Sequence, residues 1–455
     1  MADTLLEQLA AITEVRAGDE AKDDYFHDEA LGLEPVTPLA VVFPASAVQT
    51  RAIVELANRT GTPLTARGSG TGLSGACIPR PDGLVVAFDR MHSIIEIDED
   101  NHVAVVEPGV TLQQLDEATD RKGLVYPVFP GESSASLGGN VATNAGGMRA
   151  VKYGVTRHQV LGLQAVLGTG EAIRTGGKFV KSTAGYDLTQ LIVGSEGTLA
   201  LVTEAILRLY PRPRFGATVL APFSSLAACT GAVPRLIATG VGPLMVEYID
   251  AITMAALSGA GDLELGVPAE IQERAVAYLV VVLENSHEDR LAEDTELVAN
   301  LLADLDAMDV FVLPSGAGAQ LISAREKAFW VAKAAGADDI IDVVVPRADI
   351  AAFMDEVAAL ATATGSWVSG CGHAGDGNVH LSVFQADPAR RAEVIEGILR
   401  AGVDRGGDIS GEHGIGRGKR RYLAAIEDPA KLALWRRIKT AFDPSNILNP
   451  GAIFE

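Results

Sequence analysis

The chain has 455 residues, 48% of them hydrophobic and 21% charged, which supplies a large core and about three domains at roughly 150 residues each. A disordered chain or a small disulfide scaffold is excluded. Lys and Arg number 37 against 59 Asp and Glu, and the net charge of −22 opposes the basic face that a nucleic-acid partner needs.

Residues 1–33 are acidic, without the basic start and apolar run of a signal peptide, and read as short helices with Leu5, Leu6, Leu9 and Ile12 at helical spacing. LAVVFPAS, from Leu39, is a buried strand, and AVQTRAIVELANRT is an amphipathic helix stopped by Gly61. PLTARG is a second strand, and it leads into ARGSGTGLSG at 66–75. Gly70, Gly72 and Gly75 there spell GxGxxG, with Asp89 closing an apolar strand further on. A dinucleotide loop must open a helix, however, and Pro79 and Pro81 stand where that helix would run. Two readings remain: a tight inter-strand loop, or bare backbone N–H groups offered to an anion such as a pyrophosphate.

Further short strands (GLVVAFD, HVAVVEPG, VLGLQAVLGTG, EAILRLY) alternate with Gly-rich loops up to the proline run at 211–216, a domain boundary by composition. Two of those loops extend the first: PGESSASLGGNVATNAGGMRAVKYG at 130–154, of low helix and strand preference, and VGSEGTLALVTEAILRL at 193–209, which runs into a strand. Three such loops exceed what tight turns require and suggest an extended nucleotide held by backbone groups.

Beyond the boundary the pattern is α+β. YLVVVLEN is a strand, and SWVSGCGHAGDGNVHLSVF reads as strand, turn and strand, with Asp376, Gly377 and Asn378 in the turn. The helix ARRAEVIEGILRAGVDRG, the loop GGDISGEHGIGRGK and a closing helix before NILNPG follow. His373 and His380 flank the turn and Glu412 lies in GEHG. Two histidines seven residues apart across a hairpin can converge, and with a carboxylate they form a common site for zinc or another first-row dication. The competing reading is three structural side chains. Cys371 is a further donor or, as a buried thiol, a packing residue. The three cysteines include no CxxC, so neither a disulfide framework nor an iron–sulfur cluster is expected. No apolar run reaches the roughly 18 residues of a membrane span, so we expect a cytoplasmic protein.

In combination, RGSGTGLSG, GGNVATNAGG, GSEGTLALVTE, GHAGDGNVH, GEHGIG and NILNPG resemble the FAD-linked oxidases of the vanillyl-alcohol-oxidase superfamily. The branch is that of D-lactate dehydrogenases, the flavin-binding subunits of glycolate oxidase and D-2-hydroxyglutarate dehydrogenases, and the resemblance runs from about Leu39 to Pro450. It implies an α+β fold: an N-terminal helical segment (1–33), a two-subdomain FAD-binding domain (34–213), an α+β substrate cap with the metal site (214–415), and a C-terminal segment (416–455) returning to the flavin domain. It implies FAD contacts at Arg67, Gly68, Ser69, Gly70, Thr71 and Gly72, at Pro130, Gly131, Gly138, Gly139, Thr143, Asn144, Gly146 and Gly147, and at Glu196, Val202 and Asn449. Relatives that bind FAD covalently carry a His or Cys in the first loop; residues 66–75 have none, so non-covalent FAD is expected.

The same resemblance makes His373, His380 and Glu412 metal ligands (zinc first, manganese or iron as alternatives) and His413 the catalytic base. Arg325 matches an arginine that grips the substrate carboxylate, against the plainer reading of a solvated helix arginine. In D-2-hydroxyglutarate dehydrogenases a Thr follows this Arg by four residues and a Lys by fifteen, and an Asn lies two beyond the second metal histidine. This chain has Phe329, Ile340 and Ser382. Desolvating a second carboxylate among these would be costly, so D-2-hydroxy acids that are lactate-like or carry an apolar side chain are expected. Electrons would leave to an external acceptor: a quinone, an electron-transfer flavoprotein or an iron–sulfur partner subunit, with peripheral membrane association through it; a homodimer is compatible. The alternatives are a glycolate-oxidase-type catalytic subunit, a non-catalytic flavin subunit, and a zinc hydrolase that would leave the Gly-rich loops without purpose.

Overall fold

The computed structural model describes residues 2–261 and 263–454, and its chain separates into two units. The first comprises residues 1–145, 155–211 and 413–455; the second comprises 146–154 and 212–412. The break at Pro211 falls in the proline run. Two short pieces depart from the expected segments. Residues 146–154, counted with 34–213, belong to the second unit because Met148 is buried among Leu220, Met245, Tyr278 and Val280. Residues 413–415, counted with the cap, belong to the first.

Besides a two-stranded pairing of Leu124–Val125 with Tyr210–Pro211, the first unit holds two larger sheets. In one, the strands Ala40–Phe43, Leu84–Ala87 and Leu64–Arg67 pair in parallel, and Glu14–Ala17 joins the edge antiparallel. The N-terminal segment is therefore helical only over Ala2–Ala10 and then becomes a strand plus a single turn at Asp23–Tyr25, which corrects the all-helical expectation. The helix Ala47–Thr60 is capped by Ser46 and ended by Gly61 at φ +68°. No helix follows the GxGxxG loop; the chain passes through bends to the strand Leu84–Ala87, as Pro79 and Pro81 require.

The second sheet of this unit is antiparallel, in the order Ile94–Asp98, Val103–Val106, Ala200–Arg208, Val160–Leu167, Ala172–Gly176. Part of the 130–154 segment, expected as loop, forms the helix Leu137–Thr143, with a short turn at Ala150–Tyr153. Its Gly, Asn and Thr residues are poor helix formers, but Ser136 caps the amide of Gly139 and Leu137 and Val141 are buried in the core. The C-terminal segment closes the unit: Leu64 N–H donates to Ile447 O and Asn449 N–H to Leu64 O, both at 2.7 Å. Buried Lys439 binds Asp443 and donates to the carbonyls of Thr198 and Leu448 at 2.8 Å.

The second unit is built on a seven-stranded sheet in the order Phe311–Leu313, Phe215–Phe223, Ala277–Asn285, Met245–Asp250, Trp367–His373, Asn378–Phe384, Asp339–Val344. Every neighbouring pair in it is antiparallel. Trp367–His373 and Asn378–Phe384 form the expected hairpin, turning at Gly377 with φ +91°. The helices Ile350–Thr364 and Pro388–Asp404 cover one face near its end.

Candidate active site

In the second unit the hairpin sets the first two donors. Cys371 pairs across the ladder with His380, and His373 lies two residues along on the same face. His373 Nε2 and His380 Nε2 are 3.1 Å apart, and Glu412 Oε1 is 3.2 Å from each. Donors on one first-row dication at roughly 2.0–2.1 Å stand about 3–3.5 Å from one another, so the three atoms have the spacing of a shared ion. Glu412 comes from a loop with no regular structure, and buried Asp342 fixes that loop. Its carboxylate accepts from the backbone N–H of Gly411 and of Glu412 at 2.7 Å, and from Ser410 Oγ at 3.1 Å. A Cβ at Gly411 would lie 2.4 Å from the Asn378 side chain, so only glycine lets the loop approach the hairpin.

Behind His373 stands Glu247, fully buried in the strand Met245–Asp250. Its Oε1 is 2.7 Å from His373 Nδ1 and its Oε2 is 2.9 Å from the Arg325 guanidinium. A carboxylate on Nδ1 fixes the proton there and leaves the Nε2 lone pair for a metal. Burial pulls His373 toward the neutral form, but the carboxylates of Glu247 and Glu412 outweigh it and raise its pKa well above the ordinary value. Burial lowers His380. Glu412 is pushed up by burial, yet His373 and His380 hold it well below the usual carboxylate range. Cys371 is buried among apolar side chains and is not one of the converging donors.

Arg325, at the end of the helix Ser315–Glu326, is 7% exposed, so the solvated-arginine reading is set aside. Its Nε is buried without an acceptor, and the terminal nitrogen beside Glu247 is ion-paired there without the angle of a hydrogen bond. Such a guanidinium suits a group made to receive a carboxylate.

The first unit brings the Gly-rich loops together. Ser69 N–H and Gly139 N–H both approach Ser136 Oγ at 3.3 Å, and Ser69 Oγ donates to Ser134 O at 2.6 Å. A Cβ at Gly68 would lie 1.9 Å from Ser136 Oγ, so glycine is required for the two loops to touch. Gly70 has φ +76°, with the Arg67 guanidinium against its Cα, and that guanidinium stacks on Tyr25 and binds the carbonyls of Asp24 and Gly68. Gly138 packs on Pro108, and Thr143 Oγ1 donates to Gly139 O at 3.1 Å. Asn144, at φ +55°, ends the helix and accepts from Arg157 N–H at 2.9 Å. Asn140 Nδ2 is buried with no acceptor. Bare backbone loops beside an unpaired buried amide fit an extended polar cofactor. Pro130 and Gly131 lie in the loop before Ser134, Thr71 and Gly72 follow Gly70, and Val202 is buried in the strand Ala200–Arg208. Gly146 and Gly147 lie in the excursion that belongs to the second unit.

Glu196 and Asn449 have their side chains committed within the protein. Glu196 accepts the backbone N–H of Ile415 on one oxygen and of Gly416 on the other, both at 2.7 Å, and burial pushes its pKa up to about 7. Asn449 Nδ2 donates to Ala76 O and Glu196 O at 2.9 and 2.8 Å. Glu196 thus holds the segment that begins at His413, the first residue of that unit's last piece. Sequence reasoning missed Glu247, Asp342 and Ser136. An acidic residue inside the otherwise apolar strand MVEYID was the signal available for Glu247.

Comparison with known proteins shows the family. Residues 212–453 match the family of FAD linked oxidases, C-terminal domain, and 38–176 match a FAD binding domain. An uncharacterized FAD-linked oxidoreductase of Mycobacterium tuberculosis is 54% identical over 437 residues, covering 96% of this chain and 95% of its own. A D-lactate dehydrogenase of Archaeoglobus fulgidus is 36% identical over 459 residues, 98% of each chain. The solved structure of p-cresol methylhydroxylase with substrate bound shares the fold at a TM-score of 0.80 and 17% identity, covering 99% of this chain and 96% of that one. The chain belongs to the FAD-linked oxidases, the family that also holds D-lactate dehydrogenases, glycolate oxidase subunits and D-2-hydroxyglutarate dehydrogenases among its relatives.

Proposed function

We propose that this oxidoreductase converts a D-2-hydroxy acid, lactate-like or with an apolar side chain, to the 2-oxo acid, using non-covalent FAD and a divalent metal, zinc first. The observation that carries the reading is the convergence of His373, His380 and Glu412 beside a buried arginine with unused donors. When bound, FAD accepts a hydride and the metal acidifies the substrate hydroxyl as a Lewis acid. His373, His380 and Glu412 hold the metal, and Glu247 orients His373 through Nδ1. Arg325 binds the substrate carboxylate in a fork. His413 takes the hydroxyl proton as general base. The loops at 67–72, 130–131 and 138–144 hold the flavin, with Gly146, Gly147 and Val202 as further contacts and Glu196 and Asn449 shaping the loops around it. Electrons then pass to a quinone, a flavoprotein or an iron–sulfur partner. Among the described residues no helix is long and apolar enough to cross a membrane, which accords with a cytoplasmic enzyme that meets its acceptor peripherally.

A non-catalytic flavin subunit would have no use for the histidine–carboxylate cluster. The test is anaerobic mixing of the flavin-loaded protein with D- and L-2-hydroxy acids, read by flavin bleaching, with metal content measured on the same sample. Bleaching by D-isomers, lost on chelation and restored by zinc or manganese, is the expected result. Bleaching that survives complete metal removal contradicts the metal-assisted mechanism.

A further inference from the structure

The face of the sheet that carries the donor cluster continues past it as a strip of hydroxyl and apolar side chains. Cross-strand partners and alternate residues along a strand share a face. On that rule the register places Ser369 opposite Ser382, Trp367 opposite Phe384, and Ile340 beside Ser382, all on the side that bears His373 and His380. The two faces are treated differently by the fold. Val379, Leu381, Val383, Ile341 and Val343 on the other face are at most 3% exposed, beneath the covering helices. Ser369, Ile340, Ser382 and Phe384 are half-buried, and Trp367 is 48% exposed.

The strip has a shape as well as a polarity. Two serines form a low floor at its middle, Ile340 rises at one edge, and the rings of Trp367 and Phe384 close the far end with centroids 4.5 Å apart. A strand rises about 3.4 Å per residue, so the floor lies roughly 7 Å from His380 and the aromatic end roughly 13–14 Å. A methyl group at the head would leave all of this uncovered. A second carboxylate would meet hydroxyls and apolar side chains over the five residues; charge returns only beyond them, where Asp338 is already paired with Arg391 at 3.3 Å.

Resting on the function proposed above, the geometry points to a narrower substrate class: D-2-hydroxy acids with an extended aliphatic or arylalkyl side chain, laid along this strip from the donor cluster toward Trp367 and Phe384. The head group is recognised by the cluster and Arg325, and the tail by burial against the serine floor and the aromatic pair. Burying one methylene supports roughly a fourfold gain in kcat/KM, so selectivity climbs with chain length until the tail meets the rings.

The experiment compares D-lactate, D-2-hydroxybutanoate, D-2-hydroxyhexanoate, D-2-hydroxyoctanoate, D-phenyllactate and D-2-hydroxyglutarate by anaerobic flavin reduction. A rise of about fourfold per methylene, with D-lactate and D-2-hydroxyglutarate weakest, supports the inference. Trp367→Ala and Phe384→Ala should each lower the ratio of 2-hydroxyoctanoate to lactate efficiency by about tenfold, the scale of one or two buried methylenes. Binding is read separately, without turnover. Titrating the oxidised holoenzyme with 2-oxooctanoate should change tryptophan fluorescence in the wild type, and that change should shrink in Trp367→Phe. Reduction by the D-acids with no dependence on chain length, or with D-lactate best, overturns the inference and leaves the proposed function standing. A flavin left oxidised by every member of the panel overturns the proposed function itself.

Discussion

Replacing Glu247 by glutamine keeps the volume of a fully buried side chain and removes its charge. In the native protein that charge serves two partners, His373 Nδ1 at 2.7 Å and the Arg325 guanidinium at 2.9 Å. The amide oxygen of Glu247→Gln can still accept from Nδ1–H, but it makes the imidazole a weaker donor to a metal. Losing a carboxylate behind a ligating histidine typically costs 10–100-fold in metal affinity, or about 1.4–2.7 kcal/mol. The cost to folding should be of similar size. It should fall short of the roughly 3–5 kcal/mol for stranding a buried charge, because Glu412 still balances Arg325 in part. Zinc affinity would be measured by competition with a chromophoric chelator, and stability by urea unfolding of the metal-free protein. Glu247→Ala should be worse on both readouts. Wild-type zinc affinity in Glu247→Gln would refute the claim that this carboxylate's charge strengthens His373 as a metal donor.

Three further expectations follow from the site. His413→Ala should keep its metal and flavin, since His373, His380 and Glu412 are untouched, while flavin reduction slows by about 10²–10⁴; a variant that loses metal but reduces flavin normally after metal is restored makes His413 a ligand or a bystander. Gly68→Ala would place a Cβ 1.9 Å from Ser136 Oγ, so purified protein should carry less FAD, and full occupancy measured by absorbance would count against the loop contact. Glu196 has a folded pKa of about 7, above the unfolded value, so the folded state keeps a proton that the unfolded state gives up. Stability should therefore fall as pH rises from about 4.5 to about 7, by at most about 3 kcal/mol. A thermal midpoint of the flavin-free protein that declines equally over this window in Glu196→Gln would show that another group is responsible.

What could be read from the chain was mostly what local chemistry determines. The hairpin at 367–384 was legible because Gly377 and Asn378 end one alternating run and begin another, and its register then forces His373 and His380 onto one face. The donors contributed by distance were less so. Glu247 lies more than a hundred positions before His373 and reaches it only because the strand Met245–Asp250 pairs with Trp367–His373. The helix at Leu137–Thr143 was misread as loop because its composition opposes helix, and buried Leu137 and Val141 with the Ser136 cap override that preference. Glu14–Ala17 was missed because four residues carry no usable period, and its partner strand decides its conformation. Arg325 illustrates the opposite limit: its identity was legible, but its burial depends on the packing around it.

The return of the C-terminal segment has a consequence for biosynthesis. Leu448 pairs with Leu64 and is fully buried with Ile53, Leu84 and Val86, and Asn449 ties the carbonyls of Ala76 and Glu196. Those contacts join residues synthesised before 212–412 to residues synthesised after the whole of it. The second unit can settle while synthesis continues, whereas the Gly-rich loops of the first wait for their last strand-like tie. Until residues 447–449 are made, the strand Leu64–Arg67 lacks the bridge that Leu448 supplies at Leu64 and stands as an open sheet edge, a stretch for which a holding chaperone would have a use.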